Sequence, residues 1–281
     1  MADYARPGHL KDALALAAGG RATLLAGGTD FYPARGERPI DEDVLDLTAV
    51  EGLRGICEHE DHWRLGALTT WTGLIETPLP PLFDGYKQAA REVGGVQIQN
   101  AGTLAGNLCN ASPAADGTPN LLALDARVEL SSMAGIRLGP VAEFVTGSRK
   151  TARHPGEIVT ALIVPKPRAE ARSSFVKLGA RRYLVISIVL VAVVLEAERG
   201  RVARARIAVG SCGAVPQRLP ALERDLVGRA ADGGLPDHVR PRHLSLLAPI
   251  DDVRGSAAYR RDAAVALVRR ALLQAVEPPK T

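Results

Sequence analysis

Two short stretches of this sequence, Gly27-Gly28-Thr29-Asp30 and Gly102-Thr103-Leu104-Ala105-Gly106-Asn107, have the residue types that hold an anion. Glycine has no Cβ, so successive backbone N–H groups can come close to a phosphate-like group. Thr29 adds a hydroxyl donor to the first stretch. In and after the second, Thr103, Asn107 and Ser112 offer short polar groups to phosphate or sugar oxygens, and Asp116 can accept hydrogen bonds from sugar hydroxyls. Each stretch alone also suits a plain tight turn or a cap. Two of them on different parts of one chain are what a ligand with a central diphosphate needs if it is clamped from both sides. The first lacks both the three-glycine dinucleotide fingerprint and the glycine–lysine–hydroxyl ending of a P-loop, so neither of those nucleotide folds is indicated.

Other chemistries find little support. Cys57, Cys109 and Cys212 lie far apart, and an all-cysteine iron–sulfur cluster needs four thiolates, so this chain holds no such cluster alone. His59 and His62 sit in a polar run with Glu58, Glu60 and Asp61, which reads as a solvated turn rather than a metal site. The 35 basic and 31 acidic residues give a net charge of +4, and apart from pairs such as Arg181–Arg182 and Arg260–Arg261 the basic residues are scattered. With only 4% aromatic residues for base stacking, nucleic-acid binding is not expected. The longest apolar run, Ile188 to Leu195, is far short of the roughly 20 residues of a membrane span. The first residues lack a basic start followed by an apolar stretch, so the cytoplasm is the expected compartment.

Around these stretches the pattern is that of an α+β chain, whose 281 residues are too many for one small module and few for three full domains, so two compact lobes are expected. Leu10, Ala13, Leu14 and Ala17 recur at helical spacing and stop at Gly19–Gly20. Thr23 to Ala26 is a short buried strand that feeds the first glycine pair, and Val44–Leu47 is another. After the strand that starts at Trp63, one helix is predicted past Thr70. A second follows Pro78–Pro81, with Leu82, Tyr86, Ala89 or Ala90, and Val93 on one face and Gly94–Gly95 at its end. Gln97 to Pro119 shows little helical or strand period and reads as a long functional loop. Strands follow at Val128–Leu130 and Glu157–Val164. Pro165, Pro167 and the charged Arg168–Arg172 then mark a linker. Beyond it come strand runs at Phe175–Leu178, Val185–Leu195 and Ile207–Val209, then helices near Leu219–Val227 and Ala257–Val276, the last capped by Ser256. The expected domains are 1–168, with lobes of about 1–55 and 56–168, and 169–281.

Leu24 to Phe31, Gln97 to Asn107 and Ala111-Ser-Pro-Ala-Ala-Asp116 together resemble the FAD-binding domain of the xanthine dehydrogenase and carbon monoxide dehydrogenase family. Glu157 to Pro165 resembles the strand that closes that domain. Phe175-Val-Lys-Leu-Gly-Ala-Arg-Arg182 is similar to the opening of the family's C-terminal flavoprotein domain, and Ala258-Tyr-Arg-Arg261 with Leu267 to Leu272 to its last helix. The resemblance implies a two-lobed FAD-binding domain of the vanillyl-alcohol-oxidase/PCMH type, followed by a smaller α/β C-terminal domain. It also implies FAD contacts from Leu24, Leu25, Ala26, Gly27, Gly28, Thr29, Asp30 and Phe31, and from Thr103, Leu104, Ala105, Gly106 and Asn107, all around the diphosphate. Asp116 would meet the cofactor's hydroxyl groups, with Val93, Val159 and Lys177 as further flavin contacts. Leu184–Val185–Ile186 departs from the pattern, standing where many members have an aspartate-containing run.

In that family a large subunit oxidises substrate at a molybdenum cofactor, a small subunit relays electrons through two [2Fe-2S] clusters, and FAD passes them to a final acceptor. The implied partners are therefore a large and a small subunit, in a dimer of heterotrimers. The shortage of cysteines agrees independently that any clusters belong to a partner. No acid, base or nucleophile is assigned, because the redox chemistry is the cofactor's. Neither His nor Cys occurs in Leu24–Phe31 or Thr103–Asn107, so the expected FAD is non-covalent. The alternatives are a self-contained FAD-dependent oxidase or reductase, and an assembly module that has lost FAD.

Overall fold

The structure is a computed structural model that describes residues 3–181 and 184–277. The first lobe is a parallel three-stranded sheet, built from β1 (Tyr4–Ala5), β2 (Thr23–Leu25) and β3 (Val44–Asp46) in the order β1-β3-β2, with α1 (Leu10–Ala17) between its first two strands. Helix α1 buries Ala13 and Ala17 in a cluster with Leu45 and Leu47, to which Leu68 and Ile158 of the next lobe also belong. Gly20, at φ +67°, provides the left-handed residue that ends this helix.

In the second lobe β4 (Ile56–Glu58), β5 (His62–Gly66), β6 (Arg127–Ser132), β7 (Gly135–Pro140) and β10 (Ile158–Pro165) form a sheet of order β4-β5-β10-β6-β7. The small pair β8 (Val145–Gly147) and β9 (Lys150–Thr151) precedes β10. Central β10 pairs Leu162 with both Leu65 and Val128. Packed with this sheet are α2 (Trp71–Glu76), α3 (Asp84–Glu92), α4 (Val96–Ala101), α5 (Leu104–Asn110), α6 (Gly117–Ala123) and α7 (Val141–Phe144). The stretch from Gln97 to Pro119, expected as a loop, is thus largely three short helices. Their register comes from caps and tertiary bonds rather than from an apolar period: Leu104 N–H donates to Thr69 O and Trp71 N–H to Gly102 O.

The last domain is an antiparallel meander of β11 (Glu170–Leu178), β12 (Val189–Glu198), β13 (Arg201–Gly210) and β14 (Gln217–Arg218), with α8 (Pro220–Leu226) and α9 (Ala257–Val276). Strand alternation explains its placement. Leu190, Ala192 and Val194 of β12 join the core of the second lobe, whereas Val189, Val191, Val193 and Leu195 face a separate core built with α9. The charged stretch expected as linker is shorter than predicted, because β11 already begins at Glu170. Strand β12 begins at Val189 rather than Val185. Leu178 is the last β11 residue in register, with Val189 opposite, so the residues between them connect the two strands. Arg182 of the quoted motif lies outside the described residues. Among the described residues no helix is long and apolar enough to cross a membrane.

Candidate functional site

Strand β2 delivers the chain to Gly27 and Gly28 between the two lobes. Gly27 touches the second loop: a Cβ there would lie 1.9 Å from Ala101 O and 3.0 Å from Gly102 Cα. Gly28 has φ +70°, which turns the backbone at a cost only glycine avoids. The amides of Gly27, Gly28, Thr29, Asp30 and Phe31 donate to no protein acceptor among the described residues; the next, Tyr32 N–H, returns to Gly28 O at 3.2 Å. Five consecutive donors are thus left free in a half-exposed turn, as the binding of an anion by backbone amides requires. The flanks are firmly held. Leu25 is buried and its carbonyl accepts from Leu47 N–H, Leu24 and Ala26 pack on the first lobe's core, and the Arg35 guanidinium lies 3.5 Å over the Phe31 ring.

The second loop spends its donors differently. Thr103, 3% exposed, caps α5 by accepting Gly106 N–H at Oγ1 at 3.0 Å. Leu104 and Ala105 N–H donate to Thr69 O and Ala67 O, and Asn107 N–H donates to Thr103 O. The start of α5 is thereby stitched to the turn before α2, which leaves the Thr103 hydroxyl proton and the Asn107 side-chain amide as its polar offerings. The two loops adjoin at Gly102, where a Cβ would stand 3.4 Å from Thr29 Oγ1. Asn107 in turn abuts the start of α6, since its Oδ1 is 2.7 Å from the place of a Gly117 Cβ. Trp71, 1% exposed, underlies both glycines, with its indole 3.3 Å from a Cβ at Gly102 and 2.7 Å from one at Gly117.

Asp116 ends this strip, 8% exposed, and both its carboxylate oxygens are engaged. Lys177 Nζ donates to Oδ2 at 2.7 Å and Ser187 Oγ to Oδ1 at 2.7 Å. Burial pushes the Asp116 carboxyl up, and the Lys177 ammonium and the Ser187 hydroxyl oppose that push. Two residues on, Thr118 Oγ1 is buried without a partner among the described residues. Val159, beside the bulge in β10, lies in the main core, and Val93, at the end of α3, packs against it, so neither adds a polar group to the strip. Cys109 is an unreactive neighbour, because burial pushes its thiol up to about 11. Of the residues named from the sequence, the structure brings Gly27, Gly28, Thr103 and Asn107 to adjoining loops and pairs Asp116 with Lys177; Trp71 and Ser187, which sequence reasoning did not name, lie against them. A tryptophan after a helix cap and a serine before an apolar run carry no local signal of their task.

Residues 1–167 match the FAD binding domain in molybdopterin dehydrogenase, and residues 174–275 the CO dehydrogenase flavoprotein C-terminal domain. The chain belongs to the FAD-binding subunit family of the molybdenum hydroxylases. It is similar to the xanthine dehydrogenase FAD-binding subunit of Escherichia coli O157:H7, at 30% identity over 98% of this chain and 96% of that one. It is also similar to the carbon monoxide dehydrogenase medium chain of Afipia carboxidovorans, at 31% identity over 97% of this chain and 96% of that one. A chain of reconstituted CO dehydrogenase from Oligotropha carboxidovorans superposes with a TM-score of 0.90 at 30% identity, covering 98% of both chains. As a member of this family the protein is an FAD-binding oxidoreductase subunit with a two-domain fold of the expected type. The site agrees with the cofactor on physical grounds. A row of free amides suits a diphosphate, and buried hydroxyl and carboxylate groups farther along suit a polyhydroxyl ligand.

Proposed function

We propose that this chain is the electron-transfer flavoprotein of a cytoplasmic molybdenum hydroxylase, assembled with a large molybdenum-cofactor subunit and a small subunit carrying two [2Fe-2S] clusters as a dimer of heterotrimers. In this reading 1–168 is the FAD-binding domain and 169–281 the C-terminal flavoprotein domain. The segment Leu24–Phe31 holds the FAD diphosphate on its free amides. Thr103 to Asn107 closes over it through the Thr103 hydroxyl and the Asn107 amide, Asp116 accepts from the cofactor's hydroxyl groups, and Val93, Val159 and Lys177 are further flavin contacts, Lys177 while also paired with Asp116. Bound FAD supplies a carrier that takes electrons singly and gives them up as a pair. The chain's own residues bind and orient that carrier and keep water from it.

The observation that carries this reading is the run of five unpartnered amides from Gly27 to Phe31 beside a buried polar strip. The test is cofactor release from the purified chain. About one FAD per chain is expected, leaving with the supernatant on acid precipitation. Colour kept by the pellet would overturn non-covalent binding, and FMN in the supernatant would overturn the diphosphate assignment.

A further inference from the structure

The acid assigned to the cofactor's hydroxyl groups is held from the other domain. Asp116 stands directly before α6, yet its two donors, Lys177 on β11 and Ser187 in the β11–β12 connection, come from across the domain junction. All three side chains are buried, Ser187 to 1% exposure. A carboxylate oxygen can accept two hydrogen bonds, so one donor on each oxygen leaves one acceptor direction per oxygen and fixes where it points. Without those donors the buried carboxyl would favour its neutral form and lose that acceptor character. The far end of α6 is gripped in the same manner. Asp125 accepts from Arg204 and Arg218 of the C-terminal domain at 2.6 Å each, and Arg206 Nε donates to Ala123 O at 2.7 Å. Helix α6 abuts Asn107 through Gly117, so the C-terminal domain holds the element against which the second loop rests.

We propose that Ser187 is a positioning residue of the FAD site, acting through Asp116, so that a buried hydroxyl of the C-terminal domain sets the direction of an acid in the N-terminal domain. This rests on the placement of FAD proposed above. The test strips flavin from the full-length chain, titrates FAD back by fluorescence quenching, and records the visible circular dichroism of the bound flavin. Ser187→Ala is the mild variant and removes one hydrogen bond, so it should weaken FAD binding by roughly 2- to 10-fold and alter the flavin dichroism, with Ser187→Thr restoring both. In an Asp116→Ala background Ser187→Ala should not change FAD affinity again, because it acts through the carboxylate already removed. An equal further loss in that background would mean that Ser187 meets the cofactor independently, and the positioning role would fall. Unchanged affinity and dichroism in Ser187→Ala would reduce its bond to a structural clamp while leaving the FAD reading intact. A wild-type chain that takes up no FAD would overturn both.

Discussion

Gly27 and Gly28 are neighbours that lack a side chain for different reasons. At Gly27 an added Cβ would collide with the backbone carbonyl of Ala101 at 1.9 Å, so the two loops would have to separate. At Gly28 the obstacle is the Tyr32 ring at 2.7 Å, a side chain that can swing away, together with a left-handed φ that costs an alanine roughly 1–2 kcal/mol. Gly27→Ala should therefore cost more stability than Gly28→Ala and release more FAD; thermal melting and flavin absorbance, read together, check the order. The reverse order would mean that the loops do not touch as described. Gly28→Val adds a branched side chain in the strained conformation and should lose most of the flavin from a protein whose circular dichroism stays folded. The sequence makes both glycines legible as an anion approach, but only the fold shows that Gly27 clears a path for another strip of backbone. Thr103 has a similar double reading. Its hydroxyl oxygen caps α5, so Thr103→Val should cost about 1 kcal/mol of stability whether or not FAD is present. Thr103→Ser should keep the cap, and comparing the two variants in the flavin-free chain separates cap from cofactor contact.

Among the elements, legibility followed how strongly a pattern depends on its own sequence. Helix α9 was readable from Ala257 to Val276 because Ser256 caps it, accepting Tyr259 N–H, and because Ala264, Val268, Ala271, Leu272 and Ala275 bury one face. Strand β12 was readable as a strand since its apolar run is buried on both faces, although nothing local says that one face serves the neighbouring domain. Helices α4 to α6 were not readable. They are short and rich in small and amide residues; the start of α5 is held by bonds to Thr69 and Ala67 and the end of α6 by Arg206, contacts that no window of sequence contains. The closing strand β10 shows an electrostatic dependence that can be measured. Glu157, just before it, accepts from Arg137 of β7 at 2.5 and 2.7 Å and from His154 N–H at 2.7 Å. The Arg137 guanidinium foremost holds the Glu157 carboxyl below its ordinary value of 4.5, against the opposing effect of burial. A carboxyl depressed in the folded state contributes stability that is present above its unfolded value and lost as pH falls through the folded one. Glu157→Gln should consequently lower stability at neutral pH and flatten its fall in the acid range below about pH 4.5; equilibrium urea unfolding over that range would reveal an unchanged slope if the pair contributes nothing.

At the scale of the whole molecule the chain is built to hold one cofactor, and its two domains share a core. Residues of β11 and β12 lie in the same cluster as α3, α5 and α6, and Gly85 of α3 sits so close to Ser174 that a Cβ there would be 2.8 Å from its carbonyl carbon. Such an interface leaves little room for independent domain motion, which suits a subunit whose task is to keep an electron carrier in a fixed place. The same economy sets a division of labour within the complex. Three cysteines, two of them with thiols pushed up by burial, cannot ligate a four-thiolate cluster, and the described residues contain no group of side chains able to hold a metal ion. The full chain on its own should therefore bind FAD but oxidise no substrate of the complex. In the reconstituted complex, Thr103→Val combined with Asp116→Ala should slow electron delivery to the final acceptor, because the flavin is lost or misplaced. Reduction of the molybdenum and iron–sulfur centres by substrate should continue at the wild-type rate, since those centres lie upstream of the flavin. Stopped-flow spectroscopy follows cluster bleaching and acceptor reduction as separate signals. If the double variant blocked cluster bleaching while its flavin stayed fully bound, or if the lone chain turned over substrate, the substrate site would have to lie in this chain and the electron-transfer assignment would fail.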